Sequence, residues 1–207
     1  MNSYCDIAAS DGSGSMKAYL AMPARKPKAG IVVIQEILGV NKDIRAMTDA
    51  WAANGYAAIA PDLFWRLKPG VELDADIPDE FQEGLDLLQK FNADKSVEDL
   101  SSSIAALRSR GCTKVGVVGY CLGGRLAFLC ATRTDSDATV GYYGVGLDSL
   151  LGERQNIGKK ILVTRGSGQG PRCAEGQSAG HGLRVRRRSR LRARQRQRTG
   201  AGAGAAG

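Results

Sequence analysis

Short runs of apolar residues recur along most of the chain and predict buried β-strands. Residues 31–35 (IVVIQ), 56–62 (YAAIAPD) and 114–120 (KVGVVGY) are each nearly continuous in apolar character, as expected of strands covered on both faces. Two later runs, 139–146 (TVGYYGVG) and 160–163 (KILV), give the same signal. The pattern therefore predicts a sheet that is buried on both faces.

Longer stretches with apolar residues at helical spacing separate these runs. Leu100, Ile104 and Leu107 form one such stripe, and Ser96 is the expected N-cap of its helix. Gly55 is expected to close an earlier helix, because glycine readily takes the left-handed conformation at a helix C-terminus. Helices are expected over residues 41–54, 81–91, 97–108 and 122–132. This alternation predicts an α/β fold, with a mostly parallel sheet, right-handed crossovers and helices on both faces.

Charge is divided unevenly along the chain, which has 207 residues and a formal net charge of +8. Residues 164–207 contain 11 Arg and a single Glu, so residues 1–163 carry a net charge of −2. The later segment is expected to be disordered, because it has too few apolar residues to offset the loss of chain entropy. We therefore expect one domain over residues 1–163 and an Arg/Gly/Ala-rich tail over residues 164–207.

The sequence shows no sign of export or membrane insertion. Its N-terminus has no basic segment followed by an apolar run, and no stretch reaches the ~18 apolar residues of a membrane span. A soluble cytoplasmic protein with reduced thiols is expected, because the five cysteines lack the spacing of a disulfide framework. No group of Cys and His residues resembles a zinc site, so we expect neither a metal nor an organic cofactor.

The stretch VGYCLGG, residues 118–124, joins a predicted strand to a predicted helix. A Gly-x-Cys-x-Gly turn in this position is typical of a nucleophile elbow, which exposes one reactive side chain. The helix dipole is expected to favour the thiolate of Cys121, and the N–H of Leu122 can donate to an oxyanion. The alternative is that the glycines only permit close helix packing around a buried, inert cysteine.

Four blocks of the chain follow one another in a recognisable order and spacing: VIQEILGVN (33–41), GYAAIAPDLF (55–64), VGVVGYCLGGRLAFL (115–129) and VGYYGVGL (140–147). Together they resemble the dienelactone hydrolase family, the Cys-dependent, carboxymethylenebutenolidase-like branch of the α/β-hydrolases. The resemblance covers residues 1–163. It implies an α/β-hydrolase fold whose last strands and helix are missing from this chain.

The resemblance also implies an activity and a set of site residues. Cys121 would attack the carbonyl carbon of a small lactone or ester, and water would then cleave the acyl-enzyme. Glu36 corresponds to the family carboxylate that contacts the thiol at rest and takes part in its activation. The backbone N–H groups of Ile37 and Leu122 would form the oxyanion hole, and Tyr143 would line the substrate pocket.

Plainer interpretations stay open for several of these polar residues. Glu36 is alternatively only a polar residue at the end of a strand. Tyr143 is alternatively an aromatic residue of a strand that packs against its neighbours and does not line the pocket. Asp62 is expected to cap a turn rather than to touch substrate. Arg125 is expected to be solvated or ion-paired.

The sequence departs from the family pattern in its pocket and in its triad. Phe81 and Leu85 stand where the family member acting on dienelactone has a carboxylate-binding arginine and a tyrosine, so a different lactone or ester is expected. The Asp and His partners of the nucleophile are not found: no Asp follows residue 163, and the sole histidine, His181, comes too early. The chain is therefore expected to be impaired.

A shifted reading frame from about codon 164 would explain the change in composition. Gly168-Gln169-Gly170, read one base later, can encode Asp followed by Lys or Arg, which is the family's loop after this strand. A GC-rich gene read in the wrong phase would also yield many Arg, Gly and Ala residues.

Three classes of function remain after this comparison. The first is a lactone or ester hydrolase with a small-molecule substrate, and the second a non-catalytic protein that keeps the pocket. In the third, the Arg-rich tail binds nucleic acid or an anionic membrane through nonspecific phosphate contacts. We favour the first and disfavour the third, because Arg-rich tails are commonly just solvated.

Overall fold

A computed structural model describes residues 2–158 and the backbone of the strand at 160–164. The predicted α/β architecture is confirmed, with one sheet and helices on both of its faces. The strands are β1 (Asn2–Ala8), β2 (Ser15–Ala21), β3 (Gly30–Ile34), β4 (Ala57–Pro61), β5 (Val115–Tyr120), β6 (Ala138–Tyr142) and β7 (Lys160–Thr164). The helices are α1 (Lys42–Ala53), α2 (Pro78–Lys90), α3 (Ala93–Ser109) and α4 (Leu122–Arg133), with a 3₁₀ segment at Leu147–Asn156. The expected tail lies outside the described residues from residue 165 onward.

The sheet is mostly parallel, as predicted. Its strand order is β1-β2-β4-β3-β5-β6-β7, and every pair from β4 to β7 runs parallel. The first two strands form an antiparallel hairpin that joins β4 in antiparallel fashion. Sequence reasoning missed this hairpin, because the side chains of β1 are mostly exposed and give no continuous apolar run.

The two faces of the sheet are covered by different helices. Val32 and Ile34 of β3 pack in one core cluster with the side chains of α3 and α4. Val33, whose side chain points the opposite way along the strand, packs in a second cluster with Ile44 of α1. The Leu100, Ile104 and Leu107 stripe is fully buried in the first cluster, as its spacing predicted.

The ends of the helices follow from capping residues, with one correction. Asn41 caps α1 by accepting hydrogen bonds from two backbone N–H groups, and Gly55 follows that helix at a φ of 91°, as expected. The expected cap at Ser96 is wrong, because Asn92 caps α3 by accepting from the N–H of Lys95 at 3.0 Å. Ser96 instead lies within the helix and donates back to the carbonyl of Asn92.

The topology brings three loops together at one edge of the sheet. The chain passes from β3 to β4 on one side and then returns to β5 on the other, so the direction of winding reverses between β3 and β5. In parallel sheets, ligands bind outside the carboxyl ends of the strands at such a switch point. The residues that follow β3, β5 and β6 therefore meet at the edge where a site is expected.

Candidate active site

Cys121 lies at the sharp turn between β5 and α4. Its backbone has φ 53° and ψ −112°, a conformation that costs a residue with a side chain about 1–3 kcal/mol. The N–H of Cys121 donates to the carbonyl of Tyr142 at 3.1 Å, and its carbonyl accepts from the N–H of Arg125 at 3.2 Å. The turn expected from the glycine pattern is present, and its strain falls on the cysteine itself.

Three glycines allow α4 to approach the sheet this closely. A Cβ atom on Gly119 would lie 2.0 Å from the carbonyl oxygen of Gly123. Added to Gly123 it would lie 2.6 Å from the carbonyl oxygen of Ile34, and added to Gly124 it would lie 2.4 Å from that of Tyr142. The close packing considered as an alternative is therefore real. It does not bury the cysteine, whose side chain stays partly exposed.

Glu36 lies in the loop after β3 and is also partly buried. Its Oε1 atom accepts a 3.2 Å hydrogen bond from the hydroxyl of Tyr143. Burial raises the pKa of Glu36, and the Tyr143 hydroxyl opposes this shift by donating to the charged form. Asp43 on α1 adds to the increase through its negative charge.

Opposing effects set the charge state of Cys121. Burial raises the pKa of its thiol, and the negative charge of Glu36 raises it further. The backbone N–H of Leu122 acts in the opposite direction but is outweighed. The N-terminus of the helix thus favours the thiolate, as expected, but one N–H does not offset a half-buried site beside a carboxylate.

A cluster of tyrosines surrounds the two acidic groups. Tyr120 and Tyr142 stack with ring centroids 5.1 Å apart, and Tyr143 lies 6.2 Å from Tyr120. Burial raises the pKa of Tyr120 to about 12, with added contributions from Tyr142 and Glu36. Burial and the nearby Glu36 also raise the pKa of Tyr143. The hydroxyls of Tyr120 and Tyr143 are therefore protonated near neutral pH and can act as hydrogen-bond donors.

The two expected oxyanion donors belong to the loop after β3 and to the start of α4. Leu122 occupies the first position of α4, where a backbone N–H has no partner within its own helix. Ile37 directly follows Glu36 in the loop after β3. The contact of Gly123 with the carbonyls of Ile34 and Gln35 holds the start of α4 against this loop.

Polar side chains next to the site have structural roles, and one of them was missed. Asp62 accepts hydrogen bonds from the N–H groups of Phe64 (3.0 Å) and Gly70 (2.7 Å), so it caps a turn as expected. Gln35 was not singled out from the sequence. It is fully buried, and its Oε1 accepts from the N–H of Leu63 at 3.0 Å, which ties the ends of β3 and β4 together.

Arg125 is partly exposed, which fits the expected solvation, but it also makes contacts that the sequence did not suggest. Among the described residues it forms no ion pair, and its Nη1 atom donates instead to the carbonyls of Gly146 (3.0 Å) and Val145 (3.4 Å). The expectation of a solvated or ion-paired side chain overlooked these carbonyls, because Val145 and Gly146 lie 20 or more residues away in sequence.

Helix α2 packs against the loop after β3. A Cβ atom on Gly84 would lie 2.8 Å from the carbonyl oxygen of Ile37. Phe81, one turn earlier, is 42% exposed, whereas Leu85 is partly buried against the core. The helix that was expected to contact substrate therefore carries an apolar side chain close to the loop of Glu36.

Several sequence expectations fall on residues that the structure does not describe. His181 and the segment that would follow β7 are among them. Within the described part of the chain, no three Asp, Glu, Cys or His side chains are grouped so that they could hold a metal ion. In the same part, no helix combines the length and apolar character needed to cross a membrane.

Comparisons with known proteins identify the family of the chain. Residues 16–171 match the model of the dienelactone hydrolase family. The chain is 44% identical over 157 residues to a protein of Azospirillum brasilense, with 72% of the chain and 66% of the relative covered. It is 40% identical over 146 residues to carboxymethylenebutenolidase 1 of Cupriavidus pinatubonensis, with 69% of the chain and 62% of the relative covered. The chain thus spans less than two thirds of the length of these two relatives.

A solved structure supports the fold. A dienelactone hydrolase-like promiscuous phosphotriesterase from metagenomic libraries superposes with a TM-score of 0.61 at 20% identity, covering 82% of this chain and 70% of that one. At this identity the likeness concerns the fold alone. The family match and the sequence relatives go further, and on their strength the chain belongs to the dienelactone hydrolase family.

Proposed function

We propose that this chain cleaves a small lactone or ester with Cys121 as the nucleophile, and that residues 1–163 form its hydrolase domain. The observation that carries this proposal is the position of Cys121. Its side chain is partly exposed on a strained turn at the N-terminus of α4, next to the carboxylate of Glu36. A structural cysteine needs neither the strain nor the charged neighbour.

Acylation would begin from a protonated thiol. Glu36 takes the proton from Sγ of Cys121 as the sulfur attacks the carbonyl carbon of the ester. The oxygen of that carbonyl becomes negative and is stabilised by the N–H groups of Ile37 and Leu122. The carbon–oxygen bond to the alcohol then breaks, and the leaving oxygen receives the proton from Glu36. In a lactone, the released hydroxyl remains attached to the acyl chain.

Deacylation would be the slow step in this chain. Water must add to the carbonyl carbon of the thioester. The bond from that carbon to sulfur then breaks, which releases the carboxylic acid and restores the thiol of Cys121. The only histidine of the sequence is His181, outside the described residues, and we propose that the chain lacks the usual Asp and His base. Loss of a general base lowers turnover by about three or more orders of magnitude, while oxyanion stabilisation persists.

The pocket favours a substrate without a carboxylate. Phe81 lies on the helix that packs against Ile37, and Glu36 contributes negative charge to the same region. The guanidinium of Arg125 is directed at backbone carbonyls. An uncharged ester or lactone is therefore the expected substrate class.

One observation favours a second function, that of a non-catalytic binding protein. The thiol of Cys121 is held in its neutral form, and Glu36 already accepts a hydrogen bond from Tyr143. A pocket in this state could bind an ester without cleaving it.

Hydrolysis of p-nitrophenyl acetate separates these two functions. The matched control is Cys5→Ala, since Cys5 is also a partly exposed thiol but lies on β1, away from the site. We expect Cys121→Ala to lose the hydrolysis that the unaltered chain and the control both show. Equal rates in all three proteins would reject Cys121 as the nucleophile and leave the binding function.

A further inference from the structure

The loop at residues 143–146, between β6 and the 3₁₀ segment, rests directly on the first turn of α4. A Cβ atom on Gly144 would lie 2.8 Å from the carbonyl carbon of Gly124 and 2.9 Å from the backbone nitrogen of Arg125. Gly146 has a φ of 63°, and a Cβ atom there would lie 2.4 Å from Nη1 of Arg125. Backbone atoms of α4 leave no room for a side chain at Gly144, and the positive φ of Gly146 favours glycine there, so the loop lies directly against the helix.

Arg125 fastens this loop to the helix. Its Nη1 atom donates to the carbonyls of Gly146 and Val145, at 3.0 and 3.4 Å. Its own backbone N–H donates to the carbonyl of Cys121, so its side chain leaves α4 one turn after the candidate nucleophile. No carboxylate among the described residues forms an ion pair with the guanidinium, which leaves the loop carbonyls as the groups that orient it.

The other end of the same loop reaches Glu36. Tyr143 has a φ of 40°, an uncommon value for a residue with a side chain. Its hydroxyl donates to Oε1 of Glu36 at 3.2 Å, although the residue is 37% exposed. A strained and partly exposed side chain holds one orientation only if its backbone is fixed, and the contacts with Arg125 fix that backbone.

We infer that Arg125 is a positioning residue, which holds the loop at residues 143–146 so that the hydroxyl of Tyr143 stays on Glu36. Arg125 thereby sets the orientation and basicity of the carboxylate next to the Cys121 thiol. The inference rests on the proposed function, since it assigns Arg125 a part in activating that thiol.

The charged and titratable groups that act on this cluster are few in the described part of the chain. Tyr143 and Asp43 act on Glu36, and Glu36 acts on Cys121. Tyr120, Glu36 and Cys121 in turn act on Tyr143. Arg125 is one turn of α4 away and carries the positive charge nearest to Cys121 along that helix.

The direction in which the ionisation of Tyr143 shifts tests the link between Arg125 and Tyr143. The positive charge of Arg125 favours a phenolate, so its removal alone would move the ionisation of Tyr143 to higher pH. If the loop at residues 143–146 moved away from α4, Tyr143 would leave the carboxylate of Glu36 and enter water. Its ionisation would then move to lower pH. In Arg125→Met, loss of the positive charge alone and displacement of the loop therefore shift the ionisation of Tyr143 in opposite directions.

The measurement is the absorbance of phenolate near 295 nm as the pH is raised above about 10, the usual tyrosine range. We expect Arg125→Met to ionise one more tyrosine than the unaltered chain in this range, and Arg125→Lys to restore most of the difference. The extra ionisation should be absent when Tyr143→Phe is also present. Arg110→Met is the control, because Arg110 also donates to a backbone carbonyl but lies at the far end of α3.

An unchanged tyrosine titration, a shift to higher pH, or an equal shift in the control would each overturn the inference. Circular dichroism at the same pH must show the fold retained in both variants.

The catalytic part of the inference has a separate readout, the acid limb of Cys121 acylation by p-nitrophenyl acetate. Loss of the Tyr143 hydrogen bond moves the ionisation of Glu36 to higher pH. Arg125→Met and Tyr143→Phe should each lower the rate near pH 6 by about two- to tenfold, and the double variant should match Tyr143→Phe. Additive losses would reject Arg125 as acting through Tyr143. If Cys121 is not acylated in any protein, the proposed function fails, while the tyrosine titration still decides the structural link.

Discussion

The hydroxyl of Tyr143 lies 3.2 Å from Oε1 of Glu36, and this hydrogen bond joins the loops that follow β6 and β3. It stabilises the charged carboxylate next to a thiol that is itself held neutral. In the proposed reaction the thiol of Cys121 is therefore protonated at rest, and Glu36 is the group that accepts its proton. Attack on an ester requires the proton to pass from sulfur to carboxylate.

Removal of the carboxylate should separate reactivity towards an alkylating agent from catalysis. The negative charge of Glu36 raises the pKa of Cys121, so Glu36→Gln should lower that pKa and move alkylation of Cys121 by iodoacetamide to lower pH. Ester hydrolysis should fall in the same variant, because the proton acceptor is lost. The pH dependence of alkylation, followed by peptide mass spectrometry, checks the first effect. A midpoint that stays in place or rises would contradict the assigned contact.

The close approach of α4 to β3 makes Gly123 intolerant of a side chain. In Gly123→Ala the new methyl group would meet the carbonyl oxygens of Ile34 and Gln35 at 2.6 and 2.7 Å. We expect the free energy of unfolding to fall by about 1–3 kcal/mol, the usual cost of overpacking. Gly152→Ala is the matched control, because no atom lies within 4 Å of its added methyl group. Urea denaturation of both variants provides the measurement, and equal stabilities would argue against the tight elbow.

A buried ion pair anchors the loop after β4 to α3. Asp99 is fully buried and accepts from Nε1 of Trp65 (2.9 Å) and from Nε and Nη2 of Arg66 (3.0 and 2.8 Å). Asp99→Asn removes the buried carboxylate and leaves Arg66 with Asp11 as its remaining ionic partner, which should cost about 1.5–3 kcal/mol, the usual range for a hydrogen bond to a charged group. Glu83→Gln breaks the exposed pair with Lys68 and should cost at most about 1 kcal/mol. Thermal unfolding of the two variants should therefore differ clearly, and similar midpoints would show the buried pair to be unimportant.

The gene sequence around codon 164 tests the hypothesis of a shifted reading frame. A single-base change there should restore an Asp followed by Lys or Arg, and later a His with an aromatic neighbour. The restored protein should hydrolyse p-nitrophenyl acetate faster by about three or more orders of magnitude, because the Asp and His pair that assists deacylation returns. A gene in which no single-base change restores these residues would rule the hypothesis out.

The sequence was most informative where one physical requirement determines the residues. Strands covered on both faces must be apolar throughout, which is why β3, β4 and β5 could be predicted within one or two residues. A sharp turn that packs a helix against a strand requires glycine, which marked the elbow around Cys121. Exposed strands impose no such requirement, and the hairpin of β1 and β2 was missed.

Properties that arise from contacts between distant residues could not be derived from the sequence. The neutral thiol of Cys121 depends on burial and on Glu36, two features that the helix dipole argument leaves out. The hydrogen bonds of Arg125 depend on a loop about 20 residues later in the chain. Ser96 and Asn92 are both suitable caps, and only tertiary packing decided between them.

The proposed hydrolysis requires that Cys121 attacks an ester and holds the acyl group. Mixing the chain with p-nitrophenyl acetate and stopping the reaction early allows the acetylated residue to be identified by peptide mass spectrometry. We expect a burst of about one p-nitrophenol per chain, with the acetyl group on Cys121, because deacylation without the Asp and His pair is slow. A chain that shows no burst, or that carries the acetyl group on another residue while Cys121 stays free, would contradict the account.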